Sequence, residues 1–210
     1  MVPGILKKLS KTLPPRSEFI GTSIDAITGE KVTLIQNDNR MDVSDSFCPL
    51  CINPFVIGVW SNGFGKFNDE EDMELLFETR KRSAAIVKIR RIKKYELGTE
   101  TVLWLMKAVE TKLINVSWFK KIYLIRLLKI RNQGSKFELS SSILLHLAAI
   151  YAYPRKVLIT TSMDINNGYL NIFPMDLHGR LQAAEYYIFG LQPANRACSV
   201  IKKNEKGCGQ

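Results

Sequence analysis

Tyr153-Pro-Arg-Lys-Val-Leu-Ile-Thr-Thr-Ser162, Asn171-Ile-Phe-Pro-Met-Asp-Leu-His-Gly179 and Tyr186-Tyr-Ile-Phe-Gly-Leu191 carry the pattern that decides the fold. Residues 156–162 are rich in β-branched side chains and read as a strand. Turn chemistry follows at 164–168, ending in Asn167-Gly168, a hairpin signal that leads into a second strand at 169–173. Residues 174–179 read as a loop and 185–191 as a third strand. Residues 194–201 suit a short helix, and the polar tail 202–210 is expected to fray.

Upstream of that block the elements alternate in type. Ser140 suits a helix cap before Ile143, Leu144, Leu147 and Tyr151, with Pro154 as the stop. Thr99 suits the cap of another helix, in which Val102, Leu105, Met106, Val109 and Leu113 share one face. Residues 84–92 read as a strand. Residues 69–82 read as a helix, acidic in the first turn and basic in the last, as the helix dipole favours. Residues 118–130 gather their apolar side chains on no single helical face, which leaves helix and strand both open. The short apolar run 55–60 is a buried strand. Gly63-Phe-Gly65 after it is a turn, since acidic residues follow where a phosphate would be repelled. Strands at 18–24 and 31–36 flank Thr28-Gly29, residues 37–46 are polar and turn-rich, and 1–16 form a loose N-terminal arm.

Composition bounds the function. Apolar residues make up 46% of the 210 and charged residues 24%, which suits a folded protein rather than a disordered one. The most apolar stretch, 139–154, falls short of the roughly 20 residues a membrane span needs. With no secretory pattern at 1–13, a cytoplasmic protein with no membrane partner is expected. The net charge of +10 is concentrated: residues 80–136 hold sixteen Lys/Arg against three Glu. Trp104, Trp118, Phe119 and Tyr123 lie among those cations, a composition that suits stacking and phosphate contacts with nucleic acid. A solvated basic surface with no partner explains the charge equally.

Cys48-Pro-Leu-Cys51 has the spacing of half a zinc site or of a redox dithiol. No second pair of Cys or His supplies the missing ligands, so structural, reduced thiols are expected and no metal is assigned. His146, inside a helix with no base placed beside it, reads as a packed structural histidine. No strained serine elbow or Walker loop is present.

The C-terminal stretches quoted above resemble the flavin reductase-like family, the FMN-binding split barrels, over residues 153–201. An opening Pro-Arg-x-Val strand ending in threonines, a polar turn, a second strand, a loop and a third strand make up the likeness. The resemblance implies an α+β fold with antiparallel split β-barrel elements and several flanking helices. It implies an FMN-dependent oxidoreductase that passes hydride or electrons between NADH or NADPH and the flavin, within a homodimer. The residues whose chemistry suits contacts to such a cofactor are Asn171, Phe173, Pro174, Met175, Asp176, His178, Gly179 and Arg196. Phe173, Pro174 and Met175 offer an apolar ledge, while Asn171, Asp176 and His178 offer polar groups. Gly179 admits a close backbone, and Arg180, Arg196 or Arg155 could meet the phosphate. Where the family has a small-polar phosphate-binding run before its third strand, this chain reads Pro-Met-Asp-Leu-His-Gly. The expected organisation is an arm at 1–16, an α+β region at 17–150 with a basic middle third, and a flavin-binding segment at 151–210. Two alternatives stand beside it: nucleic-acid binding through 80–136, and a non-catalytic barrel remnant that acts in dimerisation.

Overall fold

The β-branched run in Lys31–Gln36 makes the first strand of an antiparallel sheet, in which Val32 and Leu34 are fully buried and the polar Thr33 and Gln36 are buried as well. The computed structural model describes residues 30–68, 71–79, 82–97, 101–131, 139–151, 158–164, 168–175, 178–181 and 186–190. Strand β1 (Lys31–Gln36) turns through Asn37, whose φ of 53° is one that asparagine tolerates well, into β2 (Asn39–Asp42). Then come β3 (Phe47–Cys51), β4 (Val56–Ser61), a single 3-10 turn at Phe64–Lys66, β5 (Met73–Thr79), β6 (Arg82–Leu97) and β7 (Thr101–Leu113). Helices α1 (Trp118–Arg131) and α2 (Ser141–Tyr151) follow. Four short strands complete the described chain: β8 (Leu158–Asp164), β9 (Tyr169–Met175), β10 (His178–Leu181) and β11 (Tyr186–Phe189).

The first seven strands form one sheet in the order β2-β1-β5-β6-β7-β4-β3, every pair antiparallel. Chain geometry dictates its curvature. The edge strands β2 and β3 are joined by residues 43–46 alone, a link that reaches at most about 18 Å. Laid flat, seven strands would span about 29 Å. The sheet therefore curls until its ends approach, and Phe47 on β3 meets Phe77 on β5 edge-on across the interior, with centroids 5.8 Å apart. The result is barrel-like. Ile57, Val59, Leu75, Val87, Ile89, Trp104 and Met106 fill it, and Phe64 stacks on Trp104 at 3.8 Å between centroids.

Helix α2 supplies Leu144, Leu147, Ala149 and Ile150 to the same core, and Ile125 and Leu128 of α1 pack against it. Ser140 caps α2 as expected: the Ile143 N–H donates to Ser140 Oγ at 3.3 Å. Among the described residues there are two α-helices, and neither is long and apolar enough to cross a membrane.

Three local expectations change, and one left open on the sequence is resolved. Residues 73–79 are a strand rather than helix, because Met73, Leu75 and Phe77 are buried while Glu74 is exposed and Leu76 and Glu78 are half-buried. That period of two outweighs the helix-like order of charges. Residues 101–113 are likewise β7. Register shifts in the β6–β7 pair, between Lys88 and Ile89 and between Arg91 and Lys93, break the strict alternation and leave spacings that mimic a helical face. Part of the polar segment 37–46 pairs as β2. Residues 118–131, open between helix and strand on the sequence, are helical. The expected elements at 1–16, 18–24 and 194–201 lie outside the described residues.

Candidate functional site

The expected hairpin is present. In β8–β9, Ser162 pairs with Asn171, Thr160 with Phe173, Ile159 with Pro174 and Leu158 with Met175. Asn171, Phe173 and Met175 thus take alternate positions on β9, and Pro174 takes the position between Phe173 and Met175. The loop expected at 174–179 is corrected. Pro174 and Met175 finish β9, and His178 and Gly179 open β10, opposite Phe189 and Ile188 of β11. The candidate residues are therefore divided between two hairpins rather than gathered on one loop. Asp176 and Arg196 lie outside the described residues.

The second hairpin is anchored to the outside of the main sheet. Cys48, Trp60 and Leu103 form a second buried cluster, against which Ile188 of β11 packs together with Leu50, Leu97 and Leu105. This explains why β4 is buried on both faces. Ile57 and Val59 belong to the interior and Trp60 to the outer cluster. Gly190, just past β11, lies so close to Leu50 that a Cβ there would collide with the Leu50 carbonyl oxygen. Only glycine permits that approach. Each C-terminal pair is a two-stranded sheet. Among the described residues, each therefore leaves outer-edge N–H and C=O groups unpaired by any further strand.

A separate cavity of about 430 Å³ opens where residues 53–55 and strands β6 and β7 meet the N-terminus of α2. Phe55, Ile143 and Val109 form apolar wall, while Arg90, Lys107 and His146 supply polar groups. His146 is 4% exposed; its Nδ1 is hydrogen-bonded to Thr111 Oγ1 at 2.7 Å and its ring lies against Phe55. Burial lowers the imidazole pKa and holds the ring neutral. Its expected structural role fits this packing. Arg90 is engaged elsewhere: its Nε lies 2.7 Å from Asp72 Oδ1, and Lys88 Nζ lies 3.0 Å from Asp72 Oδ2. Hydrogen bonds from Arg90 and Lys88 hold the Asp72 carboxyl down at about 2. The sequence gives no signal for this cavity, since its walls come from four segments that only the fold brings together.

Cys48 and Cys51 are both free thiols on β3. Cys48 is buried, and desolvation pushes its thiol up to about 12, far from a reactive thiolate. Cys51 is exposed. Among the described residues no cluster of His, Cys, Asp and Glu is arranged to hold a metal ion. In the basic middle third, Trp104 is core, whereas Trp118, Phe119 and Tyr123 are exposed on α1.

No family model matches this chain, and no curated protein matches it. Several solved structures do, and three of them are described as flavin reductases or as an NADH:FAD oxidoreductase. The NADH:FAD oxidoreductase SgcE6 of Streptomyces globisporus is 8% identical, with a TM-score of 0.33, over 40% of this chain and 75% of that one. The flavin reductase PheA2 is 10% identical with a TM-score of 0.31, over 41% and 78%. The styrene monooxygenase flavin reductase of Pseudomonas putida S12 is 10% identical with a TM-score of 0.34, over 44% and 86%.

Proposed function

We propose that the chain is a flavin-binding oxidoreductase of the flavin reductase type, with FMN held by the C-terminal hairpins of a split barrel. The observation that carries this reading is the β8–β9 hairpin: Leu158–Asp164 pairs antiparallel with Tyr169–Met175, as two strands joined through a polar turn would. The unpaired edges of the two C-terminal pairs provide the backbone groups, and residues 171–179 provide the mixture of apolar and polar side chains that a flavin site uses. Arg196 is the proposed phosphate partner, through charge-assisted hydrogen bonds. The segment 151–210 is the flavin-binding unit in this proposal, and two copies share the site as a homodimer.

Bound flavin would supply hydride acceptance at N5 from NADH or NADPH. In this proposal the protein's own residues bind and orient: Asn171, Asp176 and His178 serve the polar edge, and Phe173 and Met175, at alternate positions of β9, cover the apolar end. None of them forms or breaks a covalent bond. Removing any one is therefore expected to weaken binding and slow turnover rather than abolish chemistry.

The test is steady-state oxidation of NADH and NADPH with added FMN or FAD. The reading predicts flavin-dependent turnover, and it predicts that Arg196→Ala raises the FMN requirement roughly tenfold, the worth of one charge-assisted contact. Turnover indistinguishable from free flavin in solution would contradict it.

A further inference from the structure

Helix α1 is apolar on two opposite sides, and among the described residues only one of them packs against the core. Ile125 and Leu128 pack against the core. At 3.6 residues per turn, Phe119, Tyr123, Leu127 and Ile130 fall in a stripe on the opposite side, exposed at Phe119 and Tyr123 and half-buried at Leu127 and Ile130. Phe119 is 78% exposed and Tyr123 61%, and Trp118 beside them is 66% exposed with its ring edge-on to Phe119 at 5.0 Å. The two-sided distribution is the reason the sequence of this helix shows no single apolar face.

The charge around the stripe is of one sign. WFKKIYLIRLLKIR contains five Lys/Arg and no Asp or Glu. The same helical geometry sets Lys120 on one flank of the stripe and Arg126 and Lys129 on the other. Among the described residues, no salt bridge engages Lys120, Lys121, Arg126 or Lys129.

We infer that the outer face of α1 is a docking surface for an anionic lipid bilayer, with the helix lying in the interface plane. Aromatic and aliphatic side chains between rows of cations are what an interfacial helix presents to acyl chains and acidic headgroups. A second copy of this chain would set cations against cations. Single-stranded nucleic acid would use the aromatic rings, but Leu127 and Ile130 offer no π-face for a base to stack on. At 14 residues the helix is about 21 Å long, so the contact is peripheral and not a span.

The experiment is co-sedimentation of the full chain with phosphatidylcholine vesicles, with and without about a third phosphatidylserine. Tryptophan emission is read in parallel. Trp60 and Trp104 are buried, so a change on binding reports Trp118, and Trp118→Phe should remove it. The inference predicts partitioning to the anionic vesicles alone, a blue shift of Trp118, and weakening of roughly fivefold for each of Lys120→Gln and Lys129→Gln. Phe119→Ser with Tyr123→Ser, both at exposed positions, should abolish binding while leaving the emission of Trp60 and Trp104 unchanged. No partitioning at low salt, or equal partitioning of that double variant, would overturn the inference. So would binding of a single-stranded oligonucleotide by a protein that ignores the vesicles, which would assign the face to nucleic acid.

Discussion

Gly58 and Gly190 both face Leu50, yet the two positions differ in what a methyl group would meet. At Gly58 an added Cβ would come within 2.9 Å of Leu50 Cδ1, the far end of a flexible side chain. At Gly190 it would strike the Leu50 backbone carbonyl. Gly190→Ala is therefore expected to cost about 1–3 kcal/mol by displacing the β10–β11 hairpin, and Gly58→Ala less, as read from urea denaturation midpoints. His146 gives a prediction in pH. An unfolded imidazole titrates near 6.5, and burial lowers that value in the folded protein. As pH falls below the unfolded value, the unfolded chain takes up a proton that the folded chain refuses, so stability falls with it. The melting temperature should drop between about pH 7.5 and pH 5.5, and His146→Gln, which can still bond Thr111 and does not titrate, should flatten that drop. At this scale the sequence was partly legible. His146 with no partnered base read correctly as packed, whereas Trp104, grouped in the sequence with the cations of the middle third, is core, and nothing in the spacing of Gly190 and Leu50 announces their contact.

Elements were legible where their pattern ran undisturbed. Ser140 before an apolar period of three to four marks α2, and β-branched runs mark β1, β6 and β8. Leu144→Ala should cost about 2–5 kcal/mol, because its side chain is fully buried among barrel residues and the space it leaves cannot collapse. Ser140→Ala should cost about 1 kcal/mol through loss of the cap. Both are checked by chemical denaturation. Elements were illegible where a second influence overlay the period. In β5 the order of charges imitates a helix while Met73, Leu75 and Phe77 obey a strand. In β7 the register shifts against β6 blur the alternation. In α1 a second apolar stripe hides the one that packs against the core.

For the whole molecule, closure of the sheet follows from one short link, residues 43–46, between strands at opposite ends of the order. That link could not be recognised before the strand order was known. The same holds for the cavity beside α2, whose walls are remote in sequence. Residues 171–179 read as a strand end and one loop in the sequence, and the fold divides them between β9 and β10. What ties the molecule together in this account is the C-terminal hairpin pair: β11 is pinned to β3 and β4 by Ile188 and Gly190, and the strand edges presented there are the proposed flavin site. The measurement that tests this most directly is the visible absorbance spectrum of the purified full chain, followed by titration with FMN. The account predicts the bands of bound oxidised flavin, or saturable binding at micromolar FMN that Arg196→Ala weakens. A colourless protein that does not respond to FMN would contradict it.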